Sequence, residues 1–298
     1  MPFPDFIVLG ASKAGTSSMY HYLGAHPDVY MPLKEPNFFA LNGVDLPLAG
    51  PGDQEWYDGS YVEDEAYRIL FEEAQEYEAS GEASPTYLHS KHAPQKIHEY
   101  IPDARLIAIL RNPADRAFSH YRHFSESGLE TESFEQALKD EKSRLEAGWF
   151  WPRYIEAGRY HTQLSRYLEY FPEDQLKIYL FREFTGNTRE VMQDVFQFLG
   201  IDPTRGPRQY VRRNVSGSPR LGIVEYVLSG GNPIAETAKK CLPNVVKDAA
   251  IKIRNANKTE KNQSIGRKER KMIIEELEGE IKRLEELIGR DLTAWKEY

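Results

Sequence analysis

FIVLGASKAGTSSMY, residues 6–20, changes character twice along its length. Phe6 to Leu9 is a short apolar run closed by Gly10, the pattern of a parallel strand buried on both faces. ASKAGTSS follows, small and polar, and from Thr16 onward the sequence suits a helix start. Gly10 and Gly15 stand in the G-x-x-x-x-G spacing of a phosphate-binding loop, where backbone N–H groups and a helix N-terminus face an anion. The standard P-loop carries lysine directly after its second glycine. Here Thr16 holds that place, and the lysine, Lys13, lies inside the loop. The loop binds phosphate; the rest of the chain must say whose.

Working outward, Ser17 to Ala25 reads as the first helix, broken by His26-Pro27-Asp28. VYMPLKEPNFFA, residues 29–40, reads as a short strand and then a proline-punctuated loop with Lys34, Glu35 and the pair Phe38-Phe39. The following residues are acidic and irregular, with helical spacing from Asp64 to Ala74. Glu82 to Leu88 reads as a short strand ending in a turn at Ser84-Pro85, and Ala93 to Tyr100 as a helix. RLIAIL, residues 105–110, is the second clear parallel strand. Arg111-Asn112-Pro113 ends it, and the helix ADRAFSHYRHF follows. Ligands of open parallel sheets bind beyond the carboxyl ends of the strands. Gly10–Ser17 and Arg111–Ser119 are therefore expected on one sheet edge, and two phosphate-suited sites there suggest a ligand with two separated phosphates.

Residues 126–148 are acidic and helical, the composition of a flap, and Gly158 to Phe171 reads as an amphipathic helix. Leu176 to Leu180 is a third core strand, and Arg189 to Leu199 a helix. RRNVSGSPR, residues 212–220, is loop-like. From Lys247 to Lys271 nine Lys/Arg face three Asp/Glu, a local +6 in a chain of net charge −8. That stretch reads as a solvated surface, or as a lid that attracts an anionic ligand. Met272 to Ile288 is an amphipathic helix stopped by Gly289.

With 298 residues the chain can bury a full core, as one large α/β domain or two small ones. A net charge of −8 does not favour a nucleic-acid partner. Cys241 is the single cysteine, so neither an internal disulfide nor a thiolate metal cluster can form. His120 and His123 lie three apart on one helix and are expected on a solvated face. The first strand starts too early for a signal peptide, and no apolar run approaches membrane-spanning length. A soluble cytoplasmic protein is the expectation.

A P-loop NTPase needs Mg²⁺, held by a loop Ser/Thr and an acid that ends a neighbouring strand. RLIAIL ends instead in Arg111, and LKIYL is followed by Phe181-Arg182-Glu183. A cation where the metal carboxylate should stand argues for metal-free handling of anions.

The ordered set LGASKAGTSS, PLKEPNFF, EASPTYL, LIAILRNPADRAFSHY, GRYHTQLSRYLEYFP, NVSGSPR and LIGRDLTAW resembles sulfotransferases that use 3′-phosphoadenosine 5′-phosphosulfate (PAPS). The likeness is nearest to a bacterial branch related to heparan-sulfate-type and polyketide-associated enzymes. It covers nearly the whole chain and is weakest at about 41–75 and 225–265. It implies a P-loop-type α/β fold with a central parallel sheet flanked by helices. One domain would fill the chain, with a core at 1–220 and a helical C-terminal portion at 221–298. It implies donor contacts from Lys13 and from Ala14, Gly15, Thr16, Ser17 and Ser18 of the loop. Arg111 and Ser119 would hold the donor 3′-phosphate, and Arg213 is a further contact. Glu35 of the K-E-x-x-F-F stretch would be the general base toward an acceptor hydroxyl; the family often has histidine where this chain has Asn37. Tyr87 and Ser84 are weaker candidates. The acceptor would be a saccharide, a lipid-linked sugar, an acyl chain on a carrier protein or a small alcohol, and no metal would be required. A P-loop kinase using Mg-ATP and a non-catalytic nucleotide-binding protein are the rival readings.

Overall fold

The N-terminal apolar run forms strand β1 (Phe6–Gly10), and the loop behind it enters helix α1 (Thr16–Leu23). The computed structural model describes residues 3–210 and 264–298, and between them only the backbone pairing of 218–219 with 258–259. The chain divides into two units, Met1–Pro207 with Ile265–Tyr298, and Arg208–Ser264.

In the first unit the chain continues through β2 (Val29–Tyr30), α2 (Phe38–Leu41), α3 (Asp53–Asp58), α4 (Asp64–Ile69) and β3 (Ala79–Ala83). It then forms α5 (Thr86–His89), α6 (Ala93–Tyr100), β4 (Arg105–Leu110), α7 (Pro113–Glu126), α8 (Phe134–Glu146) and α9 (Tyr160–Leu168). Strand β5 (Leu176–Leu180), α10 (Phe181–Gly186) and α11 (Thr188–Leu199) follow. In the second unit β6 (Ser218–Pro219) pairs antiparallel with β7 (Lys258–Thr259). The first unit resumes with α12 (Arg267–Ile288).

The first unit is built on one five-stranded sheet, ordered β2-β3-β1-β4-β5, in which every pair is parallel. Phe6 to Leu9 and Leu106 to Leu110 are 0% exposed. That is why these strands read as continuous apolar runs: helices cover both faces. Each larger side chain so buried contributes about 1.5–3 kcal/mol. From β1 the chain builds β2 and β3 on one side, then crosses to β4 and β5 on the other. The carboxyl ends of β1 and β4 thus lie side by side where the strand order reverses, the ligand position of such sheets.

Helix α12 packs on α9, α7 and α8 through buried Ile273, Ile274, Leu277, Ile281 and Leu284. It ends at Gly289 in the left-handed conformation (φ 62°), as expected from the sequence. It begins at Arg267, earlier than the expected Met272. Cations in a first turn oppose the helix dipole. Here Lys268 pairs with Glu135 (2.8 Å) and Arg270 with Asp115, which offsets that opposition.

Four local expectations are corrected. EASPTYL is not one strand: β3 ends at Ala83, and Thr86–His89 is a helical turn behind Pro85. Helix α4 stops at Ile69 and a 3₁₀ turn occupies Glu72–Glu76. The helix expected over 126–148 is two helices, broken around Gly128 (φ 74°) and restarted by Ser133, whose Oγ accepts the Gln136 N–H. Helix α8 is not a flap, because it buries Phe134, Ala137, Leu138 and Glu141. Among the described residues no helix is long and apolar enough to cross a membrane.

Candidate active site

Two strand ends and one loop build the site. Ala11 N–H donates to the Ile109 carbonyl (2.8 Å), tying the phosphate loop to β4. Gly15 caps α1 with φ 96°, and a Cβ there would lie 3.1 Å from the Phe184 ring. Both the positive φ and the close ring restrict that position to glycine. The first-turn N–H groups of α1 therefore face the mouth of the loop, with Thr16 and Ser18 almost fully buried and Ser17 half-buried. Ala14 is fully buried.

Lys13 also sits in the left-handed region, φ 66°. Burial lowers its ammonium from 10.5 to about 8, opposed first by the charge of Glu35. Glu126 supports the charged form, while Lys34 and Arg111 disfavour it. Arg111 donates through Nη1 to the Lys13 carbonyl (2.9 Å) and lies 4.9 Å from the Phe181 ring centroid. Its own carbonyl accepts the Tyr160 hydroxyl (2.9 Å). The guanidinium is thus held in one place before any ligand arrives. Asn112 caps α7, accepting from Ala114 N–H (2.9 Å) and Asp115 N–H (3.2 Å). Ser119, half-buried, lies further along that helix.

Glu35 enters from the opposite side, on the loop between β2 and α2. Its backbone N–H donates to the Ala83 carbonyl (3.0 Å), and its carboxylate pairs with Lys34. The Glu35 side chain is 41% exposed, open to a ligand. The structure thus gathers Lys13, Arg111 and Glu35 in one electrostatic neighbourhood, with Ser119 on the adjoining helix. Arg213 lies outside the described residues, as do Cys241 and most of the basic stretch 247–271.

Helix α7 departs from the solvated face expected for its histidines. His120 is 2% exposed, packed on Phe124, Trp151 and Tyr154, because the 149–156 segment folds over it. Burial, with Arg116 and Lys13 nearby, drives its pKa well below the usual value. His123 does stand exposed, and its imidazole is lowered by desolvation and then by Lys13. Tyr87 and Ser84 prove to be core: both are 0% exposed and donate to Glu82 at 2.6 Å.

Glu82 escapes the sequence reading altogether. It is fully buried in β3 and also accepts from Tyr67 (2.9 Å); burial raises it to about 7, against those three hydroxyls. Elsewhere on the first unit a groove of about 1400 Å³ has Val44, His89, Phe150, Arg153 and Arg166 in its walls. Its lining holds five Lys/Arg and five Glu, so net charge is not what selects its contents.

A glycine-flanked loop and a helix N-terminus at the switch point of a parallel sheet define a phosphate-binding α/β protein. Within that class the sulfotransferase domain family model matches residues 3–218, and the chain belongs to this family. The human bifunctional heparan sulfate N-deacetylase/N-sulfotransferase 2 is 30% identical over 206 residues, 67% of this chain and 22% of that relative. The chain thus corresponds to less than a quarter of that bifunctional protein. Mouse heparan sulfate glucosamine 3-O-sulfotransferase 3A1 is 25% identical over 256 residues, 85% of this chain and 59% of the relative. A sulfotransferase from Alicyclobacillus acidocaldarius, known from a crystal structure, superposes with a TM-score of 0.78 at 30% identity, covering 100% of both chains.

A Lys13 ammonium in contact with the donor would make ligand binding depend on pH. Affinity for adenosine 3′,5′-bisphosphate is expected to be highest below about 8, where the ammonium is charged, and to fall as pH rises through that value. Calorimetry on the wild type and Lys13→Met measures this, since the ligand's own titration is common to both. A falling limb that persists in Lys13→Met rules the assignment out.

Proposed function

We propose that the protein transfers a sulfuryl group from PAPS to an acceptor hydroxyl without a metal ion. The acceptor oxygen attacks sulfur in line and its proton passes to Glu35. The bond from sulfur to the bridging oxygen of the donor breaks, and adenosine 3′,5′-bisphosphate leaves. Negative charge grows on the departing 5′-phosphate, so the groups that matter most are cations and N–H dipoles already aimed there. Lys13 and the start of α1 fill that role. Arg111, with Ser119, takes the 3′-phosphate.

The observation that carries this reading is the bond from Arg111 to the Lys13 carbonyl, which fixes the guanidinium against the loop that bears the second cation. Two cations on one sheet edge, one of them anchored, suit a ligand with two separate phosphates, which ADP is not. Calorimetry without metal tests it. Adenosine 3′,5′-bisphosphate should bind more tightly than ADP with Mg²⁺. A preference for ADP with Mg²⁺ would favour a kinase and overturn the proposal.

The relatives act, by their names, on heparan sulfate and its glucosamine. We take a saccharide as the first acceptor class to test here, with alcohols on lipid or protein carriers after it.

A further inference from the structure

Glu35 holds an unfavourable backbone conformation. Its φ is 63°, left-handed, and Pro36 follows it. A left-handed residue other than glycine or asparagine is strained by about 1–2 kcal/mol. The residue before proline is further pressed toward the extended region. Such a conformation persists only where its surroundings over-determine it.

Asn37 supplies much of that determination. It is 2% exposed and left-handed itself (φ 59°), a conformation asparagine tolerates. Its Nδ2 donates to the Glu35 carbonyl (2.8 Å) and to Ser60 Oγ (3.0 Å). Its Oδ1 accepts from Thr86 Oγ1 (2.7 Å), and its backbone N–H donates to Ser84 Oγ (3.0 Å). Ser84 Oγ is in turn aligned by Glu82 (2.6 Å). The Glu35 N–H is held by the Ala83 carbonyl and the Pro36 carbonyl by the Tyr61 N–H (2.8 Å). The two backbone polar groups of Glu35 are therefore pinned on either side of its Cα. Only the carbonyl pin comes from a side chain.

We propose that the Asn37 carboxamide is a positioning group for Glu35, fixing the direction in which its carboxylate leaves the backbone. This rests on the reading of Glu35 as the proton acceptor. Without the Nδ2 bond, Glu35 relaxes toward the extended conformation of a pre-proline residue, and its carboxylate swings away from Lys13. Asn37 need not touch substrate to do this.

Asn37→Gly is the decisive variant, because glycine accepts φ 59° at no steric cost while every side-chain bond is lost. Thr86→Val is the milder second variant, removing only the donor to Oδ1 and leaving the loop backbone unaltered. The first readout needs no acceptor: a crystal structure of Asn37→Gly with adenosine 3′,5′-bisphosphate. Glu35 should leave the left-handed region; finding it unmoved overturns the proposal.

The second readout is transfer of radiolabelled sulfuryl from PAPS to O-desulfated, N-sulfated heparan chains, whose hydroxyls are the probe acceptor. In Asn37→Gly kcat should fall between about 10- and 100-fold with donor KM nearly unchanged. The same substitution should cause no further loss in a Glu35→Gln background. An equal loss in that background means a merely structural role and also overturns the proposal. Wild-type turnover in Glu35→Gln alone would remove the base reading. The crystallographic arm would still decide whether Asn37 holds Glu35.

Discussion

Arg111→Ala is expected to weaken binding of adenosine 3′,5′-bisphosphate by about two orders of magnitude or more, as removing one partner of a close charge pair does. The size follows from preorganisation. The guanidinium is fixed by the Lys13 carbonyl and the Phe181 ring, so little side-chain freedom remains to be lost on binding. The same fixation complicates the reading, since deleting Arg111 also releases the carbonyl of Lys13, the residue proposed to face the 5′-phosphate. A second ligand separates the two effects. Adenosine 5′-monophosphate lacks the 3′-phosphate, so its affinity should change far less if Arg111 acts directly on that group. Equal losses for both nucleotides would mean that Arg111 works by shaping the loop, and the 3′-phosphate assignment would fall. Calorimetry on two proteins and two ligands decides it.

Legibility in the sequence followed burial. Strands β1, β4 and β5 were readable because helices on both faces leave an unbroken apolar run. Strand β3, ASGEA, carries almost no strand propensity of its own. It is a strand because β1 and β2 pair with it, and because Gly81 leaves room for Phe6, whose ring would lie 2.3 Å from a Cβ. The placement of Lys13 and Arg111 side by side was legible for a different reason: glycine spacing and a strand end are local signals. Glu82 and Asn37 had none. Their hydrogen bonds come from Tyr67, Ser84 and Tyr87 in one case, and from Glu35, Ser60, Ser84 and Thr86 in the other. A carboxylate in a strand or an asparagine in a loop reads as surface until the fold closes such partners, near and remote in the chain, around it. His120 was misread likewise, because the 149–156 segment that covers it lies well beyond its own helix in the chain.

Glu35→Gln should remove most turnover, by about 10²–10⁴-fold, the usual contribution of a positioned general base. Glutamine keeps the shape and can still accept from Lys34, so the loop should persist and donor binding should change little. One indirect effect must be separated from the loss of the base. The Glu35 charge is the largest influence holding the Lys13 ammonium up against burial. Neutralising it lets Lys13 drop below its present value of about 8, so at neutral pH part of the lysine would lose its charge. The rate deficit of Glu35→Gln therefore has two components, and only the lysine component depends on pH in this range. Lowering the pH by a unit or more restores the ammonium in the variant and should recover that component, while the loss due to the missing base remains. Comparing kcat at pH 6 with kcat at pH 8 in both proteins makes the division. Full recovery at the lower pH would mean that Glu35 serves only to keep Lys13 charged, and another group would have to take the acceptor proton. His123, exposed on α7 and within electrostatic reach of both Lys13 and Glu35, is the group to examine in that event.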